Sequence, residues 1–133
     1  MSHVKQFTIG SASYNAGRAS AVNQDRMLSL LTQSIVERAM IAAKSGIELD
    51  QQVLTSMFMA MPTATKREIA DILMHAVMLN GSERKVTIED FDGQMVNYNR
   101  LLAELLRWNL SDFFDWLPSA LKDEQGPKGS EAQ

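Results

Sequence analysis

Polar and apolar positions alternate at the start of the chain and then change period. Phe7 and Ile9 interleave with Gln6 and Thr8, the period of two expected of a half-buried strand. Gly10, Ser11, Ala12 and Ser13 supply turn chemistry, and Tyr14 begins the return strand of a hairpin over residues 4–16. A lone hairpin is marginal in water, so this one must pack on something or pair with something. Beyond residue 20 the spacing becomes helical. Leu28, Leu31, Ile35, Ala39 and Ala42 recur every three or four positions and predict a helix over residues 20–45. Ser20 or Asn23 can cap its start, Asp25 and Lys44 complement its dipole, and Gly46 accepts the left-handed conformation that ends it.

A second helix is predicted over residues 51–61, capped by Asp50 and terminated by Pro62. A third begins after Thr65, since Thr65 and Glu68 have capping-box spacing. Ile69, Ile72, Leu73, Ala76 and Leu79 form its buried stripe, and Gly81 closes it. Residues 82–85 read as a polar loop and 86–88 as a short extended piece. A fourth helix is expected over residues 89–107, with Leu101, Leu102, Leu105, Leu106 and Trp108 as a broad apolar surface. Gly93 should weaken its first half by about 1 kcal/mol relative to alanine. Asn109 breaks it, and Ser111 with Asp112 caps a final short helix over 113–117 that Pro118 stops.

Residues 122–133 hold no large apolar side chain and are rich in charge, Gly and Ser. Burial there cannot offset the entropy of ordering, which predicts a flexible polar tail. The expected class is therefore mainly α: a single domain over residues 1–121, with four to five helices and an N-terminal hairpin.

Composition narrows what such a domain does. Thirteen basic and sixteen acidic side chains are interspersed, for a net charge of −3. That balance gives no electrostatic footprint for nucleic acid. With no cysteine, disulfides, thiolate metal sites and thiol nucleophiles are excluded. The N-terminus lacks an apolar signal core, and no run approaches the roughly 18 apolar residues of a membrane span, so neither secretion nor a membrane partner is expected. His3 and His75 are the two histidines, too few and too far apart for a zinc site, and His75 reads as structural. No nucleophile elbow, phosphate-binding glycine loop or zinc-protease motif occurs. Glu89, Asp90 and Asp92 fail the calcium-loop spacing and fit a helix start better than a metal site. No catalytic, metal-binding or cofactor-binding residue is expected, and a binding function is favoured over an enzymatic one.

Nine methionines are many for 133 residues. Methionine fills irregular core gaps and also suits adaptable binding surfaces. Met57, Phe58, Met59 and Met61 sit nearly side by side and cannot all share one narrow helix face. Phe7 and Ile9 of the hairpin, with Met57, Phe58 and Met61, are the expected self-association set. Trp108, Phe113, Phe114 and Trp116 either close the core or anchor a partner, and they are the expected client-binding set.

Two stretches carry a family resemblance. Residues 7–31, FTIGSASYNAGRAS followed by AVNQDRMLSLL, and residues 98–117, YNRLLAELLRWNLSDFFDWL, resemble the tail assembly chaperones of long-tailed, lambda-like bacteriophages. The resemblance extends to the arrangement of hairpin, helices and polar C-terminus. It implies a protein that binds and solubilises the tape measure protein, a very long and partly hydrophobic helical chain, until tail tube subunits polymerise around it. It implies self-association along that client, action in the host cytoplasm and absence from the mature virion. It also implies a longer product made by ribosomal frameshifting, whose extension recruits tube subunits. Gly126, Pro127 and Lys128 can be encoded by a slippery heptamer, which the gene sequence tests directly. The alternative reading is a structural virion subunit of the tail or connector.

Overall fold

A two-residue turn at Gly10 and Ser11 joins β1 (Val4–Ile9) to β2 (Ala12–Gly17), paired antiparallel from Val4↔Gly17 to Ile9↔Ala12. Gly10 has φ +63° while no other residue type adopts positive φ, the II′ pattern that matches strand twist. These elements come from a computed structural model that describes residues 4–34, 41, 45 and 50–125. Phe7, Ile9, Tyr14 and Ala16 bury the inner face of the hairpin. The outer face is polar, with Thr8 and Ser13 hydroxyls 3.1 Å apart across the strands.

The hairpin does not stand alone. A third strand, β3 (Val77–Leu79), pairs antiparallel with β2 through Ala16↔Val77 and Tyr14↔Leu79, giving the order β1-β2-β3. This corrects the expectation that Ala76 and Leu79 continue the third helix. Val77 and Leu79 also alternate around exposed Met78, and β2 offers backbone partners that a helix end lacks. The expected extended piece after the loop abuts this strand: the Val86 N–H donates to the Val77 carbonyl at 3.0 Å.

Five α-helices are present among the described residues: α1 (Ala21–Ser34), α2 (Gln51–Ala60), α3 (Thr63–Met74), α4 (Met95–Asn109) and α5 (Ser111–Gln125). Ser20 caps α1, its hydroxyl accepting the Asn23 N–H at 3.3 Å. Met27 and Leu31 are its buried residues, with Leu28 half-buried beside them. Ile35, Ala39, Ala42, Lys44 and Gly46 of the predicted helix lie outside the described residues. Asp50 caps α2 as expected, accepting the Val53 N–H at 3.0 Å. Pro62 ends α2 and also opens α3, which starts at Thr63, so the predicted Thr65–Glu68 box does not form. Glu68 instead reaches Arg26 at 3.4 Å, an exposed pair that contributes little.

The predicted helix over 89–107 is split in two. Ile88–Phe91 forms a 3₁₀ turn and Gly93, at φ +77°, bends the chain before α4 begins. Of the acidic trio, Asp90 closes a capping box with Thr87, accepting its N–H at 2.9 Å, and also accepts from Arg84 at 2.9 Å. Those bonds, that to Thr87 first, hold the Asp90 carboxyl below the usual range. Among the described residues no group of three or more His, Asp or Glu side chains is placed to hold a metal ion.

Helix α4 is the spine. Tyr98, Leu101, Leu102, Leu105 and Leu106 bury one broad stripe, and α2 is its main neighbour. Each fully buried leucine contributes roughly 1.5–3 kcal/mol before entropy is counted. Phe91 wedges between the sheet and α4, its ring centre 5.8 Å from that of Tyr14 and 5.5 Å from that of Tyr98. At the far end, buried Asn109 ties α4 to the segment before α1. Its Oδ1 accepts the Ala19 N–H at 2.8 Å and its Nδ2 donates to the Leu105 carbonyl at 2.9 Å. Asn109→Leu keeps the volume but strands the Ala19 N–H, so it should destabilise by about 1–3 kcal/mol in urea unfolding.

Only Leu110 separates α4 from α5, which runs on through Pro118 to Gln125. Pro118 withholds one N–H from the ladder without ending the helix. Residues 122–125, expected in the tail, therefore belong to α5; the rest of that segment, 126–133, lies outside the described residues.

Candidate functional site

The late aromatic residues form a ladder from the core to the surface. Phe114 and Leu117 bury one side of α5, Phe113 is half-buried, and Trp116 is 58% exposed. The Phe113 ring centre lies 5.2 Å from that of Phe114 and 6.0 Å from that of Trp116. Such contacts fix ring orientation as well as burying area. Asp112, Asp115, Trp116 and Ser119 are all exposed at helical spacing, so the indole sits in an acidic frame.

Trp108, one turn before α5, is half-buried. Phe7 meets it edge-on at 5.6 Å, and the Arg18 guanidinium lies 4.8 Å from its ring centre. Beside it opens a cleft of about 290 Å³ between β1, α2 and α4. Phe7, Leu54, Ala103 and Trp108 supply its apolar floor, and Lys5, Gln51, Glu104 and Arg107 its polar rim. The Glu104 carboxylate accepts a hydrogen bond from Gln51 and lies 3.6 Å from Arg100. The Arg107 guanidinium sits 5.7 Å from the Phe114 ring centre, joining cleft to ladder.

The expected self-association set is corrected by its burial. Phe7, Ile9, Met57, Phe58 and Met61 are all at most 7% exposed, so the monomer's own core consumes them. Leu54, Met57, Phe58 and Met61 have the spacing of a single stripe, and Met59 alone of the methionine cluster turns outward. Of the expected client set, the structure brings Trp108, Phe113, Phe114 and Trp116 together along the α4–α5 junction. Phe114 is corrected to core, while Trp116 and the half-buried face of Phe113 are accessible.

The cleft was not legible in the sequence. Lys5, Leu54, Glu104 and Arg107 come from three distant segments, and no local motif links them. His75, read as structural, is exposed at the end of α3 beside a shallow second cleft with Arg26, Glu68 and Asp71. The titratable groups with perturbed ionisation lie away from the aromatic ladder. Burial lowers the Lys66 ammonium, which donates to Asn99 at 3.0 Å, and burial raises the Tyr98 phenol.

Comparison with models of known families, with curated proteins and with solved structures found no match. Among the described residues no helix is long and apolar enough to cross a membrane.

Proposed function

We propose that this protein is a phage tail assembly chaperone that holds an apolar helical client, the tape measure protein, through the aromatic ladder on α5. The observation that carries the reading is Trp116, a large ring left in solvent at the end of a ladder rooted in the core. An amphipathic client helix offers the apolar face on which such a ring docks. Trp108 and Phe113 stiffen the platform on which Trp116 stands.

Magnitude decides how such a holder works. Burying one indole removes roughly 150–250 Å² from water, worth about 4–6 kcal/mol gross. Association costs about as much or more, so a single copy binds weakly and lets go readily. Many copies along one long client gain by avidity, which raises apparent affinity by roughly 10²–10⁴. Weak, repeated contacts suit a protein that must leave when tube subunits assemble. In this proposal it acts in the host cytoplasm, stays out of the mature virion, and a frameshifted longer product brings in the tube protein.

Co-expression with the tape measure protein tests this. The proposal expects the partner to move from the insoluble to the soluble fraction and to co-purify. An unchanged partner, or this protein in stoichiometric amount in purified virions, overturns it and favours the virion-subunit reading.

A further inference from the structure

The cleft beside Trp108 and the outer face of α5 carry opposite charge. Lys5 and Arg107 stand on the cleft rim against one acid, Glu104, which already meets Gln51 and Arg100. Arg18 adds a third cation over the Trp108 ring. On α5 the sign is reversed: Asp112 and Asp115 flank exposed Trp116, and residues 111–119 contain no Lys or Arg. The cleft, at about 290 Å³, falls at the bottom of the roughly 300–1,000 Å³ range of ligand pockets. Its size and apolar floor suit one large side chain. The Trp116 of the same chain is not part of its lining.

We propose that the cleft receives Trp116 of a second copy of this chain, with Asp112 and Asp115 meeting Lys5 and Arg107. Ser111 both lines the cleft and opens α5, so donor and acceptor lie side by side. That adjacency allows the exchange to be reciprocal about a twofold axis. The pairing does not depend on the client proposal. Where both hold, client and second copy compete for the same indole.

Sedimentation equilibrium of the full chain tests it with two charge-reversed variants. The wild-type protein should form a dimer that weakens as salt is raised. Lys5→Glu with Arg107→Glu, and separately Asp112→Lys with Asp115→Lys, should each sediment as monomers. Mixing the two should restore a dimer, because one site of the mixed pair is wild-type and the other has both signs exchanged. Trp116→Ala should weaken the dimer by about thirtyfold, as for a central interface tryptophan. A wild-type monomer overturns the proposal, as do variants that dimerise like wild type. A mixture that stays monomeric although both variants show native circular dichroism overturns it too. Client capture by the monomeric Lys5→Glu, Arg107→Glu variant keeps the two proposals apart, since that protein lacks the dimer but retains the α5 surface.

Discussion

Phe58→Ala is expected to lower the unfolding free energy by about 3–5 kcal/mol, a large share of the stability of a domain this size. Phe58 is wholly buried on α2, in the stripe with Leu54, Met57 and Met61, where α2 packs on the α4 spine. Truncation removes the ring and leaves a cavity between two helices whose backbones are fixed by their own hydrogen bonds. The sheet and α5 cannot close it, because they pack on other parts of α4. Urea denaturation should show the midpoint falling with little change in slope. A loss under about 1 kcal/mol would mean that this ring is not a core element.

Trp116→Ala is the opposite experiment. Its side chain is largely in solvent and neighbours only Phe113 among the rings, so unfolding should change by no more than about 0.5 kcal/mol. Client holding, by contrast, should fall to the background of a protein-free control, because avidity multiplies the loss at every copy bound. Phe58→Ala would also fail to hold client, but through unfolding. The pair of variants therefore separates surface from stability: one changes the urea midpoint and the other does not.

The same contrast explains what could be read along the chain. The hairpin was legible because Phe7 and Ile9 alternate with polar neighbours and Gly10 supplies the one positive φ the turn requires. Helix α2 was legible from both ends, through the Asp50 cap and Pro62. Strand β3 was not, because its stabilising partners, Tyr14 to Ala16, lie some sixty residues earlier, and a three-residue strand has too few positions to reveal its period. Pro118 misled for a related reason: proline removes a single hydrogen bond, and Phe114 and Leu117 anchor the helix through their burial.

At the site, sequence located the aromatic cluster but could not sort it. Phe113 and Phe114 are adjacent, and only the packing of α5 decides that Phe114 faces the core and Trp116 the solvent. The methionine cluster looked like surplus apolar surface because four neighbours seemed too many for one face. Three of them turn out to share a stripe with Leu54. What remains outside the core is concentrated in Trp116, with Val96, Met95 and Ile88 as a smaller exposed group near the start of α4. The account consequently rests on one exposed ring and its rooted neighbours.

Amide hydrogen exchange of the full chain, dilute and with or without a soluble amphipathic segment of the tape measure protein, examines that claim most directly. Bound client should slow exchange across residues 111–117 and leave the α2 amides unchanged. Equal exchange in α5 with and without client, or protection confined to other elements, would contradict it.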